Sequence, residues 1–259
     1  MILALPLLKA ATMNIGVYQS AASLAALERW QDAVTQNISS SQVIGFKRRT
    51  AQIDGRPGGE LITDSTSRSG ESRPAVFPQV RFGVAFGAGE AQPTRRELDL
   101  AISGEGFFTV RMENGEVAYT RSGQLRVQAD RSLVTSQGLP VLDDSGNPMQ
   151  LTAQGGPILV ETNGIMRQGE TALGRIAVVD FPDTSVLRPV AGGLYRADDG
   201  TEPVTVENPN VLQGHLEASN IKPLHEMVDL VNIARAYEAN QKIIQNRDQM
   251  LQRTLEALT

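Results

Sequence analysis

Between residues 96 and 206 the chain never runs far without a turn signal. Asn114-Gly115, Ser122-Gly123, Asp130-Arg131, Gln137-Gly138 and Ser145-Gly146 follow one another at intervals of seven or eight residues, and Asn163-Gly164 comes later. Asn-Gly is the strongest short hairpin signal, because both residues tolerate the positive φ that a tight primed turn requires. The runs between the signals ("FFTVRM", "EVAYT", "QLRVQ", "SLVTS", "LPVL", "PILV", "GRIAVVDF") are short and rich in β-branched and aromatic residues. A parallel sheet needs crossovers of about a dozen residues or more, usually helical, and no helical run of that length fits here. Parallel βαβ units are therefore excluded, and an antiparallel, rather open β domain is predicted.

The flanks follow a different period. From Met13, the positions Val17, Ser20, Leu24, Leu27, Gln31, Val34 and Ile38 continue in steps of four and three, a heptad seam. Gly45 is expected to close this helix, since glycine tolerates the left-handed backbone that ends one. The following Lys47, Arg48 and Arg49 read as a basic cluster at the negative end of the helix dipole.

At the other end, Ser219 and Asn220 are capping residues and Pro223 suits a first turn. Leu224, Met227, Val231 and Ala234 then step three, four, three. Tyr237, Gln241, Ile244, Asp248, Leu251, Leu255 and Leu258 continue after a stammer-like slip. This helix spans about 35 residues, or about 50 Å at 1.5 Å per residue.

The expected fold class is α+β: long N- and C-terminal helices packed as a coiled-coil-like pair, with a mainly antiparallel β domain inserted between them. The expected segments are an extension or misassigned start at 1–12, an N-terminal helix at 13–46, a linker and loop region at 47–95, a β domain at 96–214 and a C-terminal helix at 215–259. Within the linker, "DGRPGGELITDSTSRSGESRP" is rich in Gly, Pro, Ser and Thr and reads as loop. The apolar run Ile2 to Leu8 has no basic residue before it, so no cleavable signal is expected. A true start at Met13 and an apolar extension that docks on a partner both stay open.

Polar residues at Ser20, Gln31, Gln241 and Asp248 interrupt the seams, while Trp30, Ile233 and Ile243 place apolar surface on other faces. One antiparallel pair cannot cover all of it. The helices are therefore expected to complete their packing on other subunits through Val17, Leu24, Leu27, Val34, Ile38, Leu224, Val231, Tyr237, Ile244, Leu251, Leu255 and Leu258.

Sites for chemistry are sparse. A net charge of −5 offers no general attraction to nucleic acid or anionic membranes, and the 5% aromatic content is not interleaved with bases for stacking on nucleotides. No run of about 18 apolar residues suggests a membrane-spanning helix. Without cysteine, neither a disulfide nor a Cys-zinc site can form. His215 and His225, ten apart, match no familiar metal spacing.

Gly104-Glu105-Gly106 lacks the third glycine and the following helix of a dinucleotide loop, and reads as a bend between strands. Asp99, Glu105, Asp143, Asp144 and Asp180 mostly lie beside turn signals, where local hydrogen bonding is the usual reason for aspartate. No catalytic residue, metal ligand or cofactor is assigned. The rival reading is a β-domain enzyme acting on peptidoglycan or another carbohydrate, which would show turnover sensitive to Asp99 or Glu105.

Several motifs, in order, resemble the bacterial flagellar axial proteins of the rod and hook. "LQGHLEASNIKPLHEMVDLVNIARAYEANQKIIQNRDQMLQ" looks like their shared C-terminal signature: Glu217, Ser219 and Asn220 match its E-x-S-N, and Arg235, Ala236, Tyr237 and Glu238 its R-A-Y-E. "NISSSQVIGFK" matches the N-terminal pattern at Asn37, Gly45, Phe46 and Lys47, and departs from it at Ser40 and Val43. "LDLAISGEGFFTV", with Gly104, Gly106, Phe107 and Phe108, then "AYTRSGQLRV", "LVTSQGLPVL" and "GGLYR" resemble the family's β-domain signature.

The middle is shorter than in hook protein, so the likeness is to the rod members. The resemblance implies a structural subunit of the basal-body rod in the periplasm, exported through the flagellar type III apparatus. It implies assembly with itself and neighbouring rod proteins into a helical tube, the terminal helices inside and the β domain outside, linking motor ring to hook and transmitting torque. Nucleic acid, small-molecule substrate and membrane span are absent from that picture.

Overall fold

In the computed structural model, residues 5–61, 73–153 and 155–257 are described, with side chains described over 18–57, 76–153, 155–250 and 252–257. The chain forms two compact units, one of residues 1–38, 49–83 and 223–259, the other of residues 39–48 and 84–222.

The second unit is the β domain. Its largest sheet has six strands in the order Leu187–Pro189, Leu194–Ala197, Val117–Thr120, Phe107–Arg111, Val178–Asp180 and Val204–Thr205. The Asn114-Gly115 turn joins Phe107–Arg111 to Val117–Thr120, with Phe108 opposite Thr120 and Arg111 opposite Val117. Gly115 has φ +86°, the conformation that selects glycine in this turn.

Smaller antiparallel pairs surround the sheet: Leu100–Ile102 with Val211–Gln213, Ala91–Pro93 with His215–Glu217, and Leu125–Val127 with Leu133–Thr135. The strands Ile158–Val160, Ile165–Gln168 and Thr171–Arg175 make a three-stranded sheet. A 3₁₀ turn at Thr184–Val186 is the only helical element within 96–206 among the described residues.

Strand alternation divides the interior in two. Phe108 and Val110 join Leu100, Leu133, Val141 and Ile176 in the main cluster. Phe107, the neighbour of Phe108, points into a second cluster with Tyr119, Phe181 and Tyr195, and Phe86 packs against that one. Four of its ring pairs involve Phe86 or Phe107, all near edge-to-face with centroids 5.0–6.2 Å apart, the arrangement that the ring quadrupole favours.

The first unit holds the helices α1 (Leu5–Ser39) and α2 (Pro223–Glu256) and most of a two-stranded ribbon, Arg48–Leu61 with Arg73–Ala85. Two expectations are corrected here. The chain is α+β overall, as expected, but mainly β, with one N-terminal and one C-terminal helix, and the helices do not form the coiled-coil-like pair expected along their length.

Among the described residues their shared core is one local cluster, Leu27, Val34 and Ile233 with Trp30, Ile38, Leu230 and Ala236 around it. The cause is the register of α2. It buries Glu226 and Ile233, seven residues apart, and leaves the predicted stripe in solvent, with Leu224 72% and Val231 50% exposed. In addition, much of the stretch read as loop is extended strand. Thr50 lies beside Gly83 and Val76 beside Gly55, so small residues opposite larger ones let the two strands of the ribbon approach.

Candidate functional site

The densest polar constellation lies inside the β unit, and four distant pieces of chain build it. Residues 45–48 follow α1, residues 85–90 follow the ribbon, Arg121 follows the strand Val117–Thr120, and residues 217–220 precede α2. Lys47, Arg121 and Glu217 are each at most 4% exposed. The Lys47 ammonium donates to Glu217 Oε1 at 2.5 Å and to the Gly87 carbonyl at 2.8 Å. Arg121 Nη1 donates to Glu217 Oε2 at 3.3 Å, and the Gly89 N–H donates to Oε1 at 2.8 Å. One carboxylate thus serves two cations and one backbone donor.

The guanidinium of Arg121 also lies over the Phe107 ring, 5.2 Å from its centroid, a cation–π contact in a desolvated place. Burial pushes the Lys47 and Arg121 cations below their ordinary pKa values, and Glu217 opposes that shift in both.

Asn220 completes the junction. Its Oδ1 accepts from the Arg48 N–H at 2.7 Å, and its Nδ2 donates to the carbonyls of Ala85 and Gly87 at 2.7 and 2.9 Å. The Gly45 N–H donates to the Glu217 carbonyl at 2.8 Å, and the Lys47 N–H to the Tyr195 hydroxyl oxygen at 3.3 Å.

Gly45 does not close α1, which ends at Ser39. It has φ +67°, and a Cβ there would lie 2.5 Å from backbone atoms of Arg121 and Ser122. Only glycine meets both conditions without strain. Lys47 likewise does not sit at a helix end to face its dipole: it is the deepest cation of the molecule's described residues.

The first unit carries a smaller polar centre. Asn37 and Glu226, both 0% exposed, meet through Asn37 Nδ2 and Glu226 Oε2 at 2.9 Å. The same amide bonds both backbone groups of Arg49, accepting from its N–H at 2.9 Å and donating to its carbonyl at 2.8 Å.

The structure therefore gathers Gly45, Phe46, Lys47, Glu217 and Asn220 into one junction and puts Asn37 in another. Phe107 reaches the junction through Arg121, while Phe108 turns to the main core. Ser219 accepts from the Ile221 N–H at 3.3 Å. On α2, Arg235, Tyr237 and Glu238 are exposed and Ala236 flanks the helix cluster.

Of the expected packing residues, Leu27 and Val34 are buried, Leu24, Ile38 and Ile244 are half-buried, and Leu224, Val231, Tyr237 and Leu255 are exposed. Val17, Leu251 and Leu258 lie outside the described side chains. Arg121 and Glu226 carry no signal of their own in the sequence; Arg121 lies within "AYTRSGQLRV", but only a carboxylate 96 residues away gives it a role.

The acidic candidates separate by environment. Asp99 is 0% exposed, with Arg96 Nε 3.7 Å from its carboxylate, so it is closed to any substrate. Asp143 accepts from the Ser145 and Asn147 N–H groups, a turn role. Glu105 stands exposed beside a cleft of about 600 Å³ that Arg121, Asp180 and Phe181 also line. The chain beyond Gly106 is strand, so no helix N-terminus faces that cleft from this loop. No helix among the described residues is long and apolar enough to cross a membrane.

Two family models match. One, described as the flagellar hook protein FlgE/F/G D1 domain, covers residues 101–168; the other, described as the flagellar basal body rod FlgEFG protein C-terminal, covers residues 212–257. The flagellar basal-body rod protein FlgF of Caulobacter vibrioides is 34% identical over 256 residues, which is 95% of this chain and 98% of the relative. FlgF of Rhizobium meliloti is 30% identical over 95% of this chain and 98% of its own. FlgG of Buchnera aphidicola, from Acyrthosiphon pisum, is 28% identical over 85% and 90%. With identity of this extent along nearly the whole chain, and with signature residues from both ends of the sequence meeting in one buried junction, the chain belongs to the flagellar basal-body rod protein family.

Proposed function

We propose that this chain is a FlgF-type structural subunit of the bacterial flagellar basal-body rod, where it assembles with other rod components. The single observation that carries the reading is the 34% identity to a FlgF protein across 95% of the chain. The site supports it, because the buried charged groups are spent on internal contacts that tie separate chain segments together.

The finer reading is that copies pack on one another and on neighbouring rod proteins through the terminal helices, that the subunit reaches the rod through the flagellar type III export apparatus, and that torque passes through the stack. The apolar stripe on α2, with Leu224, Met227, Val228 and Val231 half or more exposed, supports packing on a partner, since a contiguous apolar face in water is otherwise unfavourable. The carboxylates of the β unit have no assigned catalytic part.

Deleting the gene and restoring it on a plasmid tests this. Loss of motility with basal bodies that lack a complete rod in electron micrographs, both restored by the plasmid, is the expected result. Intact rods and normal swimming in the deletion would sink the proposal.

A further inference from the structure

The junction of Lys47, Arg121 and Glu217 has an asymmetry that packing alone does not explain. Two cations are buried in the β unit, and the carboxylate in ion-pair contact with both arrives last along the chain, 170 residues after Lys47 and 96 after Arg121. The strand that carries it, His215–Glu217, pairs with Ala91–Pro93 and is followed three residues later by Asn220, whose amide bonds Arg48, next to Lys47, and the carbonyls of Ala85 and Gly87.

Before this strand docks, burying Lys47 and Arg121 means burying two positive charges close together without the carboxylate that pairs with both, leaving only the weaker pull of Asp180 and Glu105 on Arg121, which is strongly unfavourable. We propose that Glu217 is a closing lock: the β unit reaches its native state only when the segment 215–220 has docked, so a chain presented amino end first keeps this unit open until its last strand is free. The lock follows from the junction's geometry and does not depend on the rod role.

The lock separates charge from packing. Glu217→Gln keeps the shape of the side chain and an oxygen for the Gly89 N–H, removes the negative charge and replaces the oxygen that accepts from Arg121 by an NH2 group that cannot accept. Lys47→Met leaves Arg121 and Glu217 as a neutral pair, and the Gly87 carbonyl still accepts from Asn220.

The test is urea unfolding of the full chain at neutral pH, followed by the aromatic-ring NMR signals of Tyr119 and Tyr195, both inside this unit. Glu217→Gln is expected to lower the folding equilibrium constant on the order of 10²–10³-fold, the usual consequence of removing one partner of a buried pair. Lys47→Met alone is expected to lower it less than about tenfold, yet to raise it in the Glu217→Gln background, because it then removes an uncompensated charge.

Because docking closes the largest loop of the unit, Glu217→Asp is expected to speed unfolding and leave refolding within about threefold. A Glu217→Gln variant within about fivefold of the natural chain overturns the lock, as does a double variant no more stable than Glu217→Gln alone. A Glu217→Asp variant whose whole loss appears in the refolding rate overturns the order of closure.

Discussion

Asn37 shows how much one side chain can hold when each of its polar atoms is used. It bonds both backbone groups of Arg49 and the carboxylate of Glu226, with no exposure of its own. Asn37→Ala orphans those two backbone groups, which costs about 1–3 kcal/mol by the usual penalty for a lost buried bond. Asn37→Asp should cost more, since it places a second carboxylate against Glu226. Trp30, the single tryptophan, flanks the same helix cluster, so its fluorescence in a thermal melt ranks the two variants, and a natural-like midpoint in both would show the amide to be dispensable. A surface pair behaves differently. Arg188 donates to both oxygens of Asp198 and holds its carboxyl below the ordinary value of 3.8. A carboxylate with a lowered folded pKa contributes stability that is fully present above its unfolded pKa and is lost as pH falls through the folded one. Both groups are solvent-exposed, so the expected consequence is a titration midpoint rather than a change in melting: Arg188→Ala should move the Asp198 midpoint upward in a carbon-detected NMR titration and leave neutral-pH stability unchanged.

At the scale of elements, the sequence is legible where its signals are local. The Asn114-Gly115 hairpin and the alternation of Phe107 and Phe108 across two cores follow from neighbouring residues alone. The strand at Arg48–Leu61 is hidden by its glycines and proline, because composition reports turns and cannot report that Gly55 is needed for the close approach of Val76. Helix α2 is legible in extent and not in register. Its predicted stripe is truly periodic, but period alone cannot say which apolar stripe its own chain covers, and burial of Glu226 selects the other face. The junction is least legible. Lys47 sits in a run of three bases that reads as a basic cluster at a helix end, and its burial depends on Glu217, 170 residues further along. The Gly104-Glu105-Gly106 bend offers a test at this scale. Gly104 has φ +122° and open space where a Cβ would stand, whereas Gly106 has φ +116° and a Cβ there would meet Val178 at 2.9 Å. Both alanine variants are strained, and Gly106→Ala adds overpacking beside the core, so it should lose about 1–3 kcal/mol more in urea unfolding than Gly104→Ala. Equal losses would remove the steric half of that account.

For the whole molecule, the question is which surfaces exist for the subunit and which for the assembly. A residue needed to fold the chain is buried within it, and a residue needed only by a partner is exposed until the partner arrives. Ile233, 1% exposed within the helix cluster, is of the first kind; Leu224, at 72%, lies on the face proposed above to be of the second. Ile233→Asp buries an unpaired charge and should unfold the helical unit, which reveals nothing about assembly. Leu224→Asp touches a solvated position, so its effect on the melting of the isolated chain should stay within about 0.5 kcal/mol. If α2 packs through this stripe as proposed, the same change desolvates a carboxylate against an apolar neighbour in the rod, an interface penalty of several kcal/mol repeated in every copy. Tyr237→Asp, at a position 38% exposed, is expected to act in the same direction with a somewhat larger cost to the isolated chain. The expected pattern is thus native circular dichroism and near-native melting for purified Leu224→Asp, together with lost swimming and truncated rods in cells that carry it as their only copy. Normal motility of that strain would mean that the exposed stripe of α2 faces solvent in the rod as well, and the packing surface would have to be sought elsewhere.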